Sequence, residues 1–154
     1  MKRRELLVIF GAAAIAWPLG VQAQQQAKVW RVGFLAIPQR PASLESSRYG
    51  AFARGMRELG YVEGDNLLTE YRFADGKAER LSNMVAELLE LKPDVLVVAG
   101  TPAVRAAQKA TTRIPIVMGT ASDPVGSGFV QSLALPGGNI TGLSNLSTDL
   151  SPKL

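Results

Sequence analysis

Four short apolar runs divide this chain, and the segments between them carry apolar residues at helical spacing. The runs are Val29 to Ala36, Leu67 to Phe73, Val95 to Ala99 and Ile114 to Met118. Between the first two, Tyr49, Phe52, Ala53, Met56 and Leu59 fall on one helical face, and Gly60 ends the helix before the turn Glu63-Gly64-Asp65-Asn66. Asp75-Gly76 closes the second run. Leu81, Met84, Val85, Leu88 and Leu89 then line a second helix that stops before Pro93. A third, alanine-rich helix runs from about Pro102 to Thr111, with Val104 and Ala107 inward. Strands that alternate with helices predict an α/β fold. Right-handed crossovers of this kind put the strands in one parallel sheet, with helices on both faces.

At 154 residues the chain is long enough for one domain with a real core. Its inventory constrains the chemistry more sharply. There is no histidine and no cysteine, which removes the usual neutral-pH base, the thiolate nucleophile and most zinc sites together. Any catalysis would have to run on carboxylates, Lys, Ser or Tyr, so a binder is expected in preference to an enzyme, with no cofactor and no metal. Lys2, Arg3, Arg4 and Glu5 supply +2 of the formal charge of +4, and the remainder is scattered without a basic run. Nucleic acid is therefore not an expected partner.

Met1 to Ala23 has the layout of a secretory signal: a basic start, an apolar stretch from Leu6 to Gly20 that contains Pro18, and the small-residue ending Val21-Gln22-Ala23. Cleavage is expected after Ala23, leaving residues 24–154 as the exported, periplasmic product without a lipid anchor. The start Arg3-Arg4-Glu5-Leu6-Leu7 also resembles a twin-arginine signal, so the export route stays open between the two types.

In an open α/β sheet, ligands sit beyond the carboxyl ends of the strands where the winding reverses. Three loops leave such ends. After the third strand comes Gly100-Thr101-Pro102-Ala103, where Thr101 suits an N-cap, Pro102 the first helical position, and Gly100 a close backbone approach. Free amides at Ala103 and Val104 would then face an anion such as a carboxylate. The second loop, Thr120 to Pro124, offers Thr120, Ser122 and Asp123. Asp123 can meet an ammonium group, cap a helix running through Val125, or do both. The third loop, Ile37 to Glu45, offers Ser43, Leu44 and Arg40. One apparent motif is set aside: Gly137 to Ser144 has the glycine spacing of a phosphate-binding loop, but Leu143 stands where that motif needs lysine.

The strings Ser122-Asp123-Pro124-Val125-Gly126 and Pro136-Gly137-Gly138-Asn139-Ile140-Thr141-Gly142, together and at this separation, resemble the ABC-transporter substrate-binding proteins of the type I periplasmic-binding-protein fold. Gly60-Tyr61 and Thr101-Pro102-Ala103 agree as well. The resemblance implies a doubly wound parallel sheet with strand order 2-1-3-4-5. It also implies a two-lobed receptor that closes on a small molecule, amino acids and aromatic ones among them, and hands it to a membrane permease driven by an ATPase. Ser151-Pro152-Lys153-Leu154 falls where the second lobe is expected to begin, so the expectation is an N-terminal lobe over residues 24–154. Trapping between two surfaces strengthens each polar contact, so a single lobe is expected to bind weakly or not at all. A sensing lobe of the same fold, or a non-functional fragment, stays open beside the transport reading. A small flavodoxin-like enzyme or receiver domain does not, because the first strand ends in Ala36-Ile37-Pro38 and the third in Gly100-Thr101, where a receiver needs an acidic cluster and an Asp.

Overall fold

The computed structural model describes residues 28–145, and the expected signal, its cleavage point after Ala23 and the last nine residues, 146–154, lie outside them. Five strands form one parallel sheet in the order β2-β1-β3-β4-β5. They are β1 (Trp30–Ala36), β2 (Leu67–Phe73), β3 (Val95–Ala99), β4 (Ile116–Ser122) and β5 (Ile140–Asn145). Helices α1 (Arg48–Glu58), α2 (Leu81–Glu90) and α3 (Thr101–Ala110) connect the first four, with a single 3₁₀ turn, Ala78–Arg80, leading into α2. The α/β fold and the strand order are those the sequence and its resemblance imply.

Each face of the sheet has its own core. On one, Leu35, Leu96, Val98, Ile116 and Met118 meet Val85 and Leu88 of α2 and Val104 and Ala107 of α3. On the other, Val32, Phe34, Ala36 and Val97 meet Tyr49 of α1, with Phe52 and Met56 partly buried beside them. Strand periodicity explains the division: β1 sends Phe34 and Ala36 to one face and Leu35 to the other. Central parallel strands are covered on both sides, so they read as continuous apolar runs.

The winding reverses between β1 and β3. The chain moves from β1 outward to β2 and returns across β1 to reach β3. That reversal opens a crevice at the carboxyl ends of β1 and β3.

Three local expectations are corrected. Strand β4 does not stop at Met118 but continues to Ser122 through a bulge, since Val98 pairs with Met118 and Ala99 with Thr120. The extra residue, Gly119, shifts the alternation so that Ala121, not Thr120, shares the buried face with Ile116 and Met118. The helix expected through Val125 is absent; residues 124–129 form turns that bury Phe129 and Val130 and leave Val125 and Leu133 exposed. Leu59 belongs to no apolar face, because it is the C-cap of α1 and stays 74% exposed.

Candidate functional site

A cavity of about 340 Å³, open to solvent, lies at the crevice. Strand β1 supplies Phe34, and the segment after it supplies Ile37 and Pro38. The first turn of α1 supplies Arg48 and Tyr49. Ala99 and Gly100 come from the end of β3, and Gly119 and Thr120 from the bulge of β4. The lining is mostly apolar with a few polar groups, the usual character of a small-molecule site.

The lining residues Phe34 and Tyr49 are held in a cluster of interlocked aromatic rings. Phe34 packs edge-on to Tyr49 with ring centroids 5.5 Å apart, and Tyr49 edge-on to Phe73 at 5.1 Å. Phe52 and Tyr71 add contacts to Phe34 at 5.4 and 5.2 Å. Burial pushes the Tyr71 phenol above its ordinary range, with the charge of Glu63 acting in the same direction, so this ring stays neutral.

The first turn of α1 is held as firmly. Ser47 caps the helix by accepting from the Tyr49 amide at 3.2 Å, and its hydroxyl donates to the Leu44 carbonyl at 2.7 Å. Gly50 lets the preceding loop lie directly on the helix; a Cβ there would collide with the Glu45 carbonyl oxygen and sit 2.7 Å from that of Leu44. Arg48, exposed at the first helical position, rests over the Tyr49 ring with its guanidinium carbon 5.4 Å from the centroid.

Gly100 shapes the opposite wall. It is the N-cap of α3 at φ 102° and ψ 140°, a conformation that suits glycine, and its amide donates to the Thr120 carbonyl at 2.8 Å. This bond ties the end of β3 to the β4 bulge and brings Gly100 and Thr120 to the same cavity.

The other residues named from the sequence lie elsewhere. Thr101 is not the cap of α3 but its first residue; its hydroxyl oxygen accepts from the Ser122 amide at 3.2 Å. Pro102 is exposed on the helix, while Ala103 is fully buried in the core beside Val104 and Ala107. The Val104 amide, expected to be free, donates to the Gly100 carbonyl at 3.0 Å. Asp123 has φ 42° and closes a turn, with Oδ1 accepting from the Gly126 amide at 2.9 Å, so it caps no helix. Ser43 is exposed, and its Oγ accepts from the Ser46 amide at 3.4 Å. Arg40 lies over Phe73 at 5.9 Å. Of the residues the sequence nominated, Gly100 and Thr120 line the cavity; Thr101, Pro102, Ala103, Ser122, Asp123 and Ser43 are not among its lining residues.

Sequence reading missed Phe34, Arg48, Tyr49 and Gly119. Tyr49 lines the cavity and also belongs to the core beneath α1. Its signal was the unbroken order of a cation, an aromatic ring and a glycine, Arg48-Tyr49-Gly50, at a helix start. Gly119 inside an apolar run was the available sign of a bulge.

In a parallel, doubly wound sheet the crevice at the switch point is where a ligand binds. The profile of the ABC transporter substrate binding protein family matches residues 32–150, and the chain belongs to that family. It is 33% identical over 124 residues to the tyrosine-binding protein of Clostridioides difficile strain R20291, covering 80% of this chain and 35% of that protein. Among solved structures it resembles a conserved domain protein from Vibrio cholerae O1 biovar El Tor, with 39% identity and a TM-score of 0.69 over 77% of this chain and 40% of that one. It also resembles an ABC domain from Streptococcus pneumonia in complex with L-Trp, with 30% identity and a TM-score of 0.66 over 75% of this chain and 38% of the other. The chain thus spans between 35% and 40% of the length of these relatives.

Proposed function

We propose that this chain contributes the N-terminal lobe of an exported solute receptor that captures a free amino acid, preferably an aromatic one, and presents it to the membrane permease of an ABC transporter. The observation that carries the proposal is the cavity at the switch point, with Phe34, Tyr49 and Ile37 among its apolar lining residues and Arg48 and Thr120 among its polar ones. Such a cleft offers an aromatic side chain an apolar surface and leaves the polar head among hydrogen-bonding groups. Two relatives, one a tyrosine-binding protein and one in complex with L-Trp, agree with this ligand class.

Because the cavity is open on one side, a ligand there keeps part of its surface in water, and the affinity of this lobe is expected to be weaker than micromolar. Amide-detected NMR titration of the full chain with tyrosine, tryptophan, leucine and glutamate tests the reading. Saturable shifts with the aromatic pair, at lower concentration than with the other two, support it. The absence of saturable binding to any amino acid at tens of millimolar contradicts it. For export, N-terminal sequencing of the protein recovered from a bacterial periplasm should begin at Gln24. Retention of Met1 in the cytoplasm contradicts that part.

A further inference from the structure

We propose that Arg48 is the carboxylate-recognising residue of the cavity and makes it select α-amino acids over the corresponding amines. This inference rests on the amino-acid reading above and adds to it the group that reads the ligand's acid end.

Arg48 is the one charged side chain among the cavity's lining residues, and no acidic side chain lines the cavity to balance it. It makes no ion pair among the described residues, where the four pairs are Lys28–Asp94, Arg72–Glu70, Arg72–Glu87 and Arg80–Asp75. Its place in the helix makes this more telling. Arg48 opens α1, whose first turn holds no acidic residue, so its charge adds to the positive end of the helix dipole instead of offsetting it. Both favour an anion at the mouth of the cleft.

The guanidinium is also prepositioned. It sits over the Tyr49 ring, and Tyr49 is locked edge-on between Phe34 and Phe73. The Ser47 cap and the close approach at Gly50 fix the backbone beneath it. A guanidinium on an aromatic face keeps its in-plane N–H donors free for a carboxylate, which it can grip with two parallel hydrogen bonds. Lysine would supply charge without that fork. The cavity therefore pairs a carboxylate reader with an apolar bed, the combination that an aromatic acid fits and a decarboxylated amine does not.

The test compares tyrosine with tyramine and tryptophan with tryptamine by NMR titration of the full chain and of Arg48→Gln, Arg48→Lys and Arg57→Gln. Wild type should favour each acid over its amine. Arg48→Gln should lose about ten- to a hundredfold in affinity for the acids, the effect of one charge-assisted contact, and nothing for the amines. Arg48→Lys should recover only part of that loss, and Arg57→Gln, which removes an equal charge from the far end of the exposed side of α1, should behave as wild type. Arg48 is exposed, so unchanged amide spectra away from the cavity will confirm that the variants fold. Equal losses for acid and amine in Arg48→Gln, or no loss, overturn the assignment while leaving the amino-acid reading intact. Binding of neither acid by wild type overturns both.

Discussion

The Thr101 side-chain oxygen accepts a hydrogen bond from the Ser122 amide across 3.2 Å, joining the start of α3 to the end of β4. With the Gly100 amide bonded to the Thr120 carbonyl at 2.8 Å, it makes a double stitch across the carboxyl ends of the two strands. Thr101→Val keeps the shape and removes the acceptor. It should cost about 1 kcal/mol in urea unfolding and shift the Ser122 amide resonance. An unchanged midpoint together with an unmoved Ser122 resonance would show that the stitch does not form in solution.

Gly100 should tolerate no side chain. Its φ of 102° is unfavourable for any L-residue, and an added methyl would point at the Ile37 Cδ1 atom 2.7 Å away, at the cavity wall. Gly100→Ala should destabilise by about 1–3 kcal/mol and also weaken ligand binding. Thermal unfolding and titration measured together check this, and a variant as stable as wild type contradicts the backbone geometry described.

Gly50 is demanding for a different reason. Its conformation is ordinary for a helix, but a Cβ would strike the carbonyls of Leu44 and Glu45. Alanine, normally the better helix former, should here destabilise by about 1–3 kcal/mol, the usual cost of overpacking. Gly55, on the same helix with open space around it, is the control, and Gly55→Ala should stabilise slightly. Equal responses at the two positions would refute the packing described for the loop before α1.

Asp94 links pH to stability at the end of the sheet away from the cavity. The Lys28 ammonium, 2.7 Å away, and the Arg31 amide, at 2.9 Å, hold its carboxyl below the ordinary value of 3.8. A carboxyl lowered in the folded state is more easily protonated in the unfolded one. Its contribution is present in full above the unfolded pKa and is lost as the pH falls through the lowered folded value. Asp94→Asn should therefore be less stable than wild type at pH 7, and the difference should shrink below pH 3.8. A gap that stays constant down to pH 2 contradicts the linkage.

Much of this architecture was written in residue order. Apolar runs such as Val95 to Ala99 have few alternatives to a strand covered on both faces, and Leu81, Met84, Val85 and Leu88 repeat at a spacing that fits a helix against it. The end of β4 was not legible, because a glycine and hydroxyl residues after an apolar run mark a loop as readily as a bulge. Only the pairing with β3 and β5 decides between them. The helix through Val125 failed for a related reason: Asp123 takes a left-handed conformation and its carboxylate serves the Gly126 amide, which closes a turn where a cap would have opened a helix. The cavity was half legible. Gly100 and Thr120 follow strand ends in the sequence, whereas Arg48 and Tyr49 reach the same space from a helix whose approach depends on the fold of Leu44 to Ser47.

Ligand is expected to enter the crevice between β1, α1 and the ends of β3 and β4. Amide chemical-shift mapping of the full chain during a tryptophan titration measures it directly. The largest movements should fall at Tyr49, Gly100, Gly119 and Thr120, with Ala107 and Leu88 in the opposite core unmoved. Movements concentrated at Asp123 to Gly126 or along Leu133 to Leu143, with Gly100 and Gly119 silent, would contradict it.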